Sequence, residues 1–97
     1  MTTLRIEHSV SDFPTWKAAF DRFAAGRTQA GVRRYRIFRP VDDPTYVMLA
    51  DDFDRGSEAE AFLAVLRRDV WGSTQASPAL VGAPQARIID AVESQES

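Results

Sequence analysis

Apolar positions recur along this chain with two periods. From Leu4 to His8 the side chains alternate, with Leu4, Ile6 and His8 on one face and Arg5, Glu7 and Ser9 on the other, as in a strand with one apolar side. From Phe13 the period becomes helical: Phe13, Trp16, Phe20, Phe23 and Ala24 return at spacings of three and four, while Lys17, Asp21 and Arg22 lie outside the stripe. Ser11 and Asp12 offer a cap for this helix, and Pro14 falls in its first turn, where a missing N–H costs nothing. Gly26 and Gly31 weaken and then close it. Arg27 continues the apolar face one turn after Phe23, so its charge must either snorkel past the end of the core or face a polar cavity.

Val32 to Arg39, VRRYRIFR, is predicted as a second strand, and Pro40, Asp42, Asp43 and Pro44 as the turn of a hairpin whose other arm is Thr45 to Phe53. In that third strand Tyr46, Met48 and Ala50 share one face, and Val47, Leu49 and Phe53 the other. A second helix is expected from about Ser57 to about Val70, opened by a Ser57–Glu60 capping box and carrying Ala61, Phe62, Val65, Leu66 and Asp69 at helical spacing. Asp52, Asp54 and Gly56 look like fragments of a calcium loop, but no third acidic ligand falls in phase and the twelfth position is Leu63, which excludes calcium. From Trp71 to Pro84 the composition turns to Gly, Ser, Ala and Pro without a period, as in a short extra turn or a functional flap anchored by Trp71 and Leu80. Ala86 to Val92 gives a fourth strand, with Ile88 and Ile89 offering apolar groups to both faces, and a polar tail follows from about residue 93.

The order strand, helix, strand, strand, helix, strand predicts an α+β, ferredoxin-like βαββαβ domain over residues 1–97. It is a four-stranded antiparallel sheet with two helices on one face. The third and fourth strands look apolar on both sides, so the uncovered face is expected to be buried against a second copy, as a homodimer joined through the sheet.

The 97 residues, 44% hydrophobic and 27% charged, are ordinary for one globular domain. The lack of cysteine excludes disulfides, thiolate catalysis and Cys-based metal sites, and a lone histidine leaves no zinc site. There is no G-x-S-x-G elbow, phosphate loop or dinucleotide fingerprint, so neither metal nor cofactor is expected. No apolar run approaches the roughly 20 residues of a membrane helix, and the amino terminus has no signal-peptide core, which predicts a cytoplasmic protein without a membrane partner. A net charge of −2 offers nucleic acid no attraction. The strand order also matches RNA-recognition domains, but the third strand ends in ADDFD where such domains carry a basic aromatic motif, so no nucleic-acid partner is expected.

His8 is the one side chain with an ordinary pKa near neutrality, a natural proton acceptor or donor, or else a structural residue hydrogen-bonded at a strand end. Arg34 and Arg36 share one strand face, opposite Arg33, Tyr35, Ile37 and Arg39. Either they pair with Glu7, Asp51 or Asp90, or one of them, Arg36 for preference, clamps a ligand oxygen. Tyr46 offers a phenolic hydrogen bond.

EHSVSDFPTWKAAFD, the hairpin RIFRPVDDPTYVMLADDF and the closing run SPALVGAP together resemble the dimeric α/β barrel proteins, over nearly the whole chain. They are most similar to the small bacterial branch described as cyclase-like or antibiotic-biosynthesis-monooxygenase-like. The resemblance implies two sheets meeting face to face, and in each subunit a cavity between sheet and helices for a small aromatic or polyketide-like ligand. Its relatives oxidise quinols without metal or flavin, or close polyketide rings. On that reading His8, Arg36 and Tyr46 are the candidate catalytic residues, with Trp16, Phe20, Phe62 and Trp71 shaping the cavity. The alternative is a non-enzymatic dimeric module that senses a ligand or binds a partner. The haem-degrading relatives place an axial histidine near the second helix, and this chain has none there.

Overall fold

The computed structural model describes residues 1–96. Its elements run β1 (Thr2–Val10), α1 (Phe13–Arg22), α2 (Ala24–Ala30), β2 (Arg34–Phe38), β3 (Tyr46–Phe53), α3 (Gly56–Val65), a π-helical turn (Leu66–Val70) and β4 (Leu80–Asp90). The strands form one antiparallel sheet in the order β2-β3-β1-β4, the ferredoxin-like α+β arrangement.

β1 lies inside the sheet, and its alternation is strict: Thr2, Leu4, Ile6, His8 and Val10 are buried and the residues between them half-buried. Its register with β3 places Leu4 opposite Asp51, Ile6 opposite Leu49 and His8 opposite Val47. All of these face the helices, where Leu4, Ile6, Val47 and Phe53 pack with Trp16, Phe20, Phe62 and Leu63 into one core.

The first helix begins as predicted, with Asp12 as cap and its carboxylate accepting from the Thr15 N–H at 3.0 Å. It does not run on unbroken. At Phe23 (φ −93°, ψ 11°) the backbone leaves helical geometry, dividing α1 from α2. Past this break Ala24, assigned to the apolar stripe, is exposed, whereas Arg27 is buried. α2 ends at Gly31 (φ 97°), a left-handed conformation that only glycine adopts without strain.

The second helix opens two residues earlier than its predicted cap. Arg55 is in extended conformation, which leaves its N–H free for the Glu58 carboxylate at 3.2 Å, while Ser57 and Glu60 are exposed. The buried positions are accordingly Ala59, Phe62 and Leu63, and Ala61 faces outward. β4 is longer than predicted and absorbs the end of the irregular stretch. A register shift between Glu7 and Ser9, with Gly82 at φ 74°, lets the LVGAP run join the sheet. Pro84 is tolerated there because β4 is an edge strand.

The opposite sheet face is mixed, where its β3 and β4 positions were expected to be apolar. Phe38 (44% exposed), Met48, Ala50 and Ile89 (42% exposed) lie among Arg34, Arg36, Arg87, Glu7 and Asp52. Arg34 donates to Asp52 Oδ2 from Nε at 3.0 Å and from Nη2 at 2.9 Å, and Thr3 donates to Oδ1 at 2.6 Å. Arg33 pairs with Asp54 at 2.8 Å. The partners of these arginines are therefore not the expected Glu7, Asp51 or Asp90.

Candidate functional site

A cavity opens between the helix-facing side of the sheet and the helices. β1 contributes Ile6 and His8, β3 contributes Leu49 and Asp51, α1 contributes Trp16 and Phe20, α2 contributes Arg27 and α3 contributes Phe62. About 70 Å³ of it admits the centre of a water-sized sphere, and about 640 Å³ is free of atoms when its open mouth is counted. One such centre needs roughly 10–15 Å³, so the accessible part has room for several waters or a small ligand.

The π-helical turn explains one wall. Phe62, Leu66 and Val70 follow at four-residue steps down one helix face. The wider closing bond, from the Trp71 N–H to the Leu66 carbonyl at 2.8 Å, places Trp71 beside Val70 on the same wall. The irregular stretch, shortened to Trp71–Ala79 by the longer β4, completes the lining with Ala76, Ser77, Pro78 and Ala79. Trp16 and Phe20 stack with centroids 5.2 Å apart, and Tyr35 meets Phe20 edge-on at 5.0 Å.

His8 is 7% exposed and edge-on to Trp16 at 6.1 Å. Its Nδ1 lies 2.9 Å from the Ser9 carbonyl oxygen. A carbonyl only accepts, so Nδ1 carries the hydrogen and Nε2 is left with a free lone pair. Burial lowers the pKa of the imidazole, only partly offset by this backbone bond, which favours the neutral ring.

The other polar end of the cavity was not among the candidates read from the sequence. Asp51 is 0% exposed, and neither carboxylate oxygen has a hydrogen-bond partner among the described residues. Burial pushes its pKa up to about 7, against the pull of nearby Arg27 and with a further push from Asp52. Arg27, 6% exposed, donates from Nη1 to the Phe20 carbonyl at 2.6 Å and lays its guanidinium 3.6 Å over the Phe20 ring. Arg27 takes neither of its two expected fates in full: it does not snorkel, and the cavity it faces is apolar apart from His8, Asp51 and Ser77. Leu4, opposite Asp51, lies four residues from His8, so the two polar ends are about 13 Å apart along the strands. They do not form a dyad.

The cavity therefore brings together His8, Trp16, Phe20, Phe62 and Trp71. It does not include Arg36 or Tyr46. The β2–β3 pairing puts Arg36 opposite Ala50, and the β1–β3 pairing puts Tyr46 opposite Ser9, so both belong to the face turned away from the helices. Arg36 leans over Phe38 at 5.5 Å, and the Tyr46 hydroxyl donates to Glu7 Oε1 at 2.7 Å, a bond that raises the phenol's pKa. Side-chain alternation is the reason: an odd number of positions along a strand reverses the face. In one subunit, the oxygen-clamping role assigned to Arg36 and Tyr46 has no access to His8's cavity. Arg27 and Asp51 occupy that place instead.

Among the described residues, no helix is long and apolar enough to cross a membrane, and no three His, Asp or Glu side chains gather as a metal site requires. Neither a protein-family model nor a curated protein matches the chain in sequence. Solved structures do match in shape. SnoaB of Streptomyces nogalater, described as a cofactor-independent oxygenase, superposes with a TM-score of 0.74 at 17% identity, covering 99% of this chain and 97% of SnoaB. A Nitrosomonas europaea protein described as an antibiotic biosynthesis monooxygenase gives 0.70 at 20% identity, covering 96% of this chain and 100% of its own. A dimeric ferredoxin-like protein from an uncultured marine organism gives 0.66 at 14% identity, covering 97% and 96%.

Proposed function

We propose that the protein is a homodimer, joined through its open sheet faces, that binds a small, largely apolar, oxygen-bearing aromatic molecule in each subunit and oxygenates it without a cofactor. The observation that carries this reading is the cavity itself: aromatic walls from Trp16, Phe20, Phe62 and Trp71, with a buried base at one end and a buried acid–guanidinium pair at the other. His8 Nε2 takes the proton that activates the ligand. For an anthrone, the ring methylene loses that proton, O₂ takes up the electron pair, and loss of water leaves a carbonyl, so CH₂ and O₂ become C=O and H₂O. Ring closure of a polyketide begins with the same proton removal. The likeness in shape to proteins described as oxygenases supports this choice of chemistry.

Oxygen uptake with a model anthrone or quinol tests it. Wild-type protein is expected to consume O₂ in step with quinone formation, and His8→Ala to lose roughly 100-fold in rate, within the usual contribution of a general base. Binding without uptake would favour the second reading, a ligand-sensing or interaction module, for which the tether of His8 to the Ser9 carbonyl is the supporting observation. A monomer by light scattering at micromolar concentration would sink the dimer.

A further inference from the structure

Asp51 is out of keeping with its surroundings. Buried polar groups are nearly always hydrogen-bonded, yet this carboxylate is fully enclosed with both oxygens unpartnered among the described residues, at the wall of a cavity. Arg27 lines the same cavity. Its Nη1 is used by the Phe20 carbonyl, and it makes no ion pair among the described residues. The two charged groups thus stand in one apolar cavity without closing on each other.

We infer that Asp51 and Arg27 form a recognition pair for a ligand hydroxyl, which donates its hydrogen to an Asp51 carboxylate oxygen and accepts on its own oxygen from an Arg27 N–H. The inference rests on the cavity being a ligand site and deepens that reading by naming the group that enters first. The argument is one of donor and acceptor inventory. An ionised carboxylate only accepts and a guanidinium only donates, so a single group satisfying both must do both. A phenolic or enolic hydroxyl does. A ketone or ether oxygen serves Arg27 and leaves Asp51 bare, an ammonium serves Asp51 and leaves Arg27 bare, and a carboxylate ligand meets Asp51 with like charge. The stacked Trp16 and Phe20 rings then select a flat apolar body behind the hydroxyl. His8, at the far end, is left for the ligand's other edge.

Titration calorimetry at pH 8 with 1-naphthol and 1-methoxynaphthalene tests the pair, because the two probes share a ring system and only the first can donate. Quenching of Trp16 and Trp71, the only tryptophans and both cavity residues, reports occupancy independently. The expected result is at least tenfold tighter binding of 1-naphthol to the wild-type protein. Asp51→Asn, nearly isosteric, adds an amide donor that serves the methoxy oxygen, and is expected to bring the ratio within threefold. Equal affinities in the wild type, or a ratio unchanged by Asp51→Asn, overturn the inference while leaving the cavity as a ligand site. Failure of both probes to bind and to quench overturns the inference and the ligand site together.

Discussion

Replacing Asp51 by Asn should stabilise the protein, and by an amount that depends on pH. In the native state the carboxyl holds its proton up to about pH 7, while in the unfolded chain it releases it at its ordinary 3.8. Between those values the native state binds the extra proton, so stability falls as pH rises, by about 1.4 kcal/mol per pH unit. The penalty is absent below 3.8 and complete above 7, where the gap corresponds to about 4 kcal/mol. At pH 5 only about 1.6 kcal/mol of it has developed. Asp51→Asn removes the titrating group and nearly keeps the shape. Its stability relative to wild type is therefore expected to improve by about 3 kcal/mol between pH 5 and pH 8. Urea unfolding of both proteins at the two pH values, at one fixed protein concentration, measures this, and the titrating groups that do not interact with Asp51 cancel in the double difference. A difference between variant and wild type that is the same at pH 5 and pH 8 would refute the account, since it would mean that Asp51 ionises alike in the folded and unfolded chain.

Two further outcomes follow from single residues. His8 is the only histidine, so its ring protons give an unambiguous NMR titration, and burial should place the midpoint below 6.5; a midpoint at or above 6.5 would contradict the desolvated, Ser9-tethered ring. Gly31→Ala forces a left-handed residue, while the flexible Glu58 carboxylate its Cβ meets can swing aside, so chemical denaturation should register a loss of about 1–2 kcal/mol, whereas Gly72→Ala, which meets only ordinary contacts, should change stability by less than about 1 kcal/mol.

The parts of this fold that could be read from sequence are those set by period alone. Leu4, Ile6 and His8 alternate in β1 because one sheet face is buried, and that is enough to aim His8 at the core. The same rule applied to β3 contained the missing half of the site. Asp51 falls in phase with Val47, Leu49 and Phe53, but a carboxylate near a strand end reads as the place where the strand meets solvent. What makes it a buried cavity wall is its place opposite Leu4 inside the sheet, under a helix layer that is broken at Phe23. No local residue announces that break, since Phe23 fits the helical stripe as well as its neighbours do. The cap of α3 was misplaced for a related reason: the Ser57–Glu60 spacing is correct for a capping box, and Glu58, three residues from Arg55, satisfies the same spacing with a backbone N–H that needs no side chain at the cap.

Side-chain parity and burial together decide what one subunit can do. Parity divides the ionisable residues into a cavity set (His8, Asp51, with Arg27 from the helix layer) and an open-face set in which Arg34, Asp52, Glu7 and Tyr46 are already hydrogen-bonded to one another or to Thr3. Within one subunit the open-face set has no route to that cavity. Burial then acts with opposite sign on the two cavity groups that titrate: it lowers His8, a base, and raises Asp51, an acid. Well below pH 7 Asp51 holds its proton, and Arg27, stacked on Phe20, is the fixed charge at Asp51's end of the cavity. A flat apolar molecule entering that cavity displaces no ion pair. As the pH rises through 7, Asp51 gains the charge that makes a hydroxyl the preferred neighbour, while His8 keeps its free lone pair throughout. On the function proposed above, Asp51 and Arg27 orient the ligand and His8, at the other end of the cavity, takes its proton.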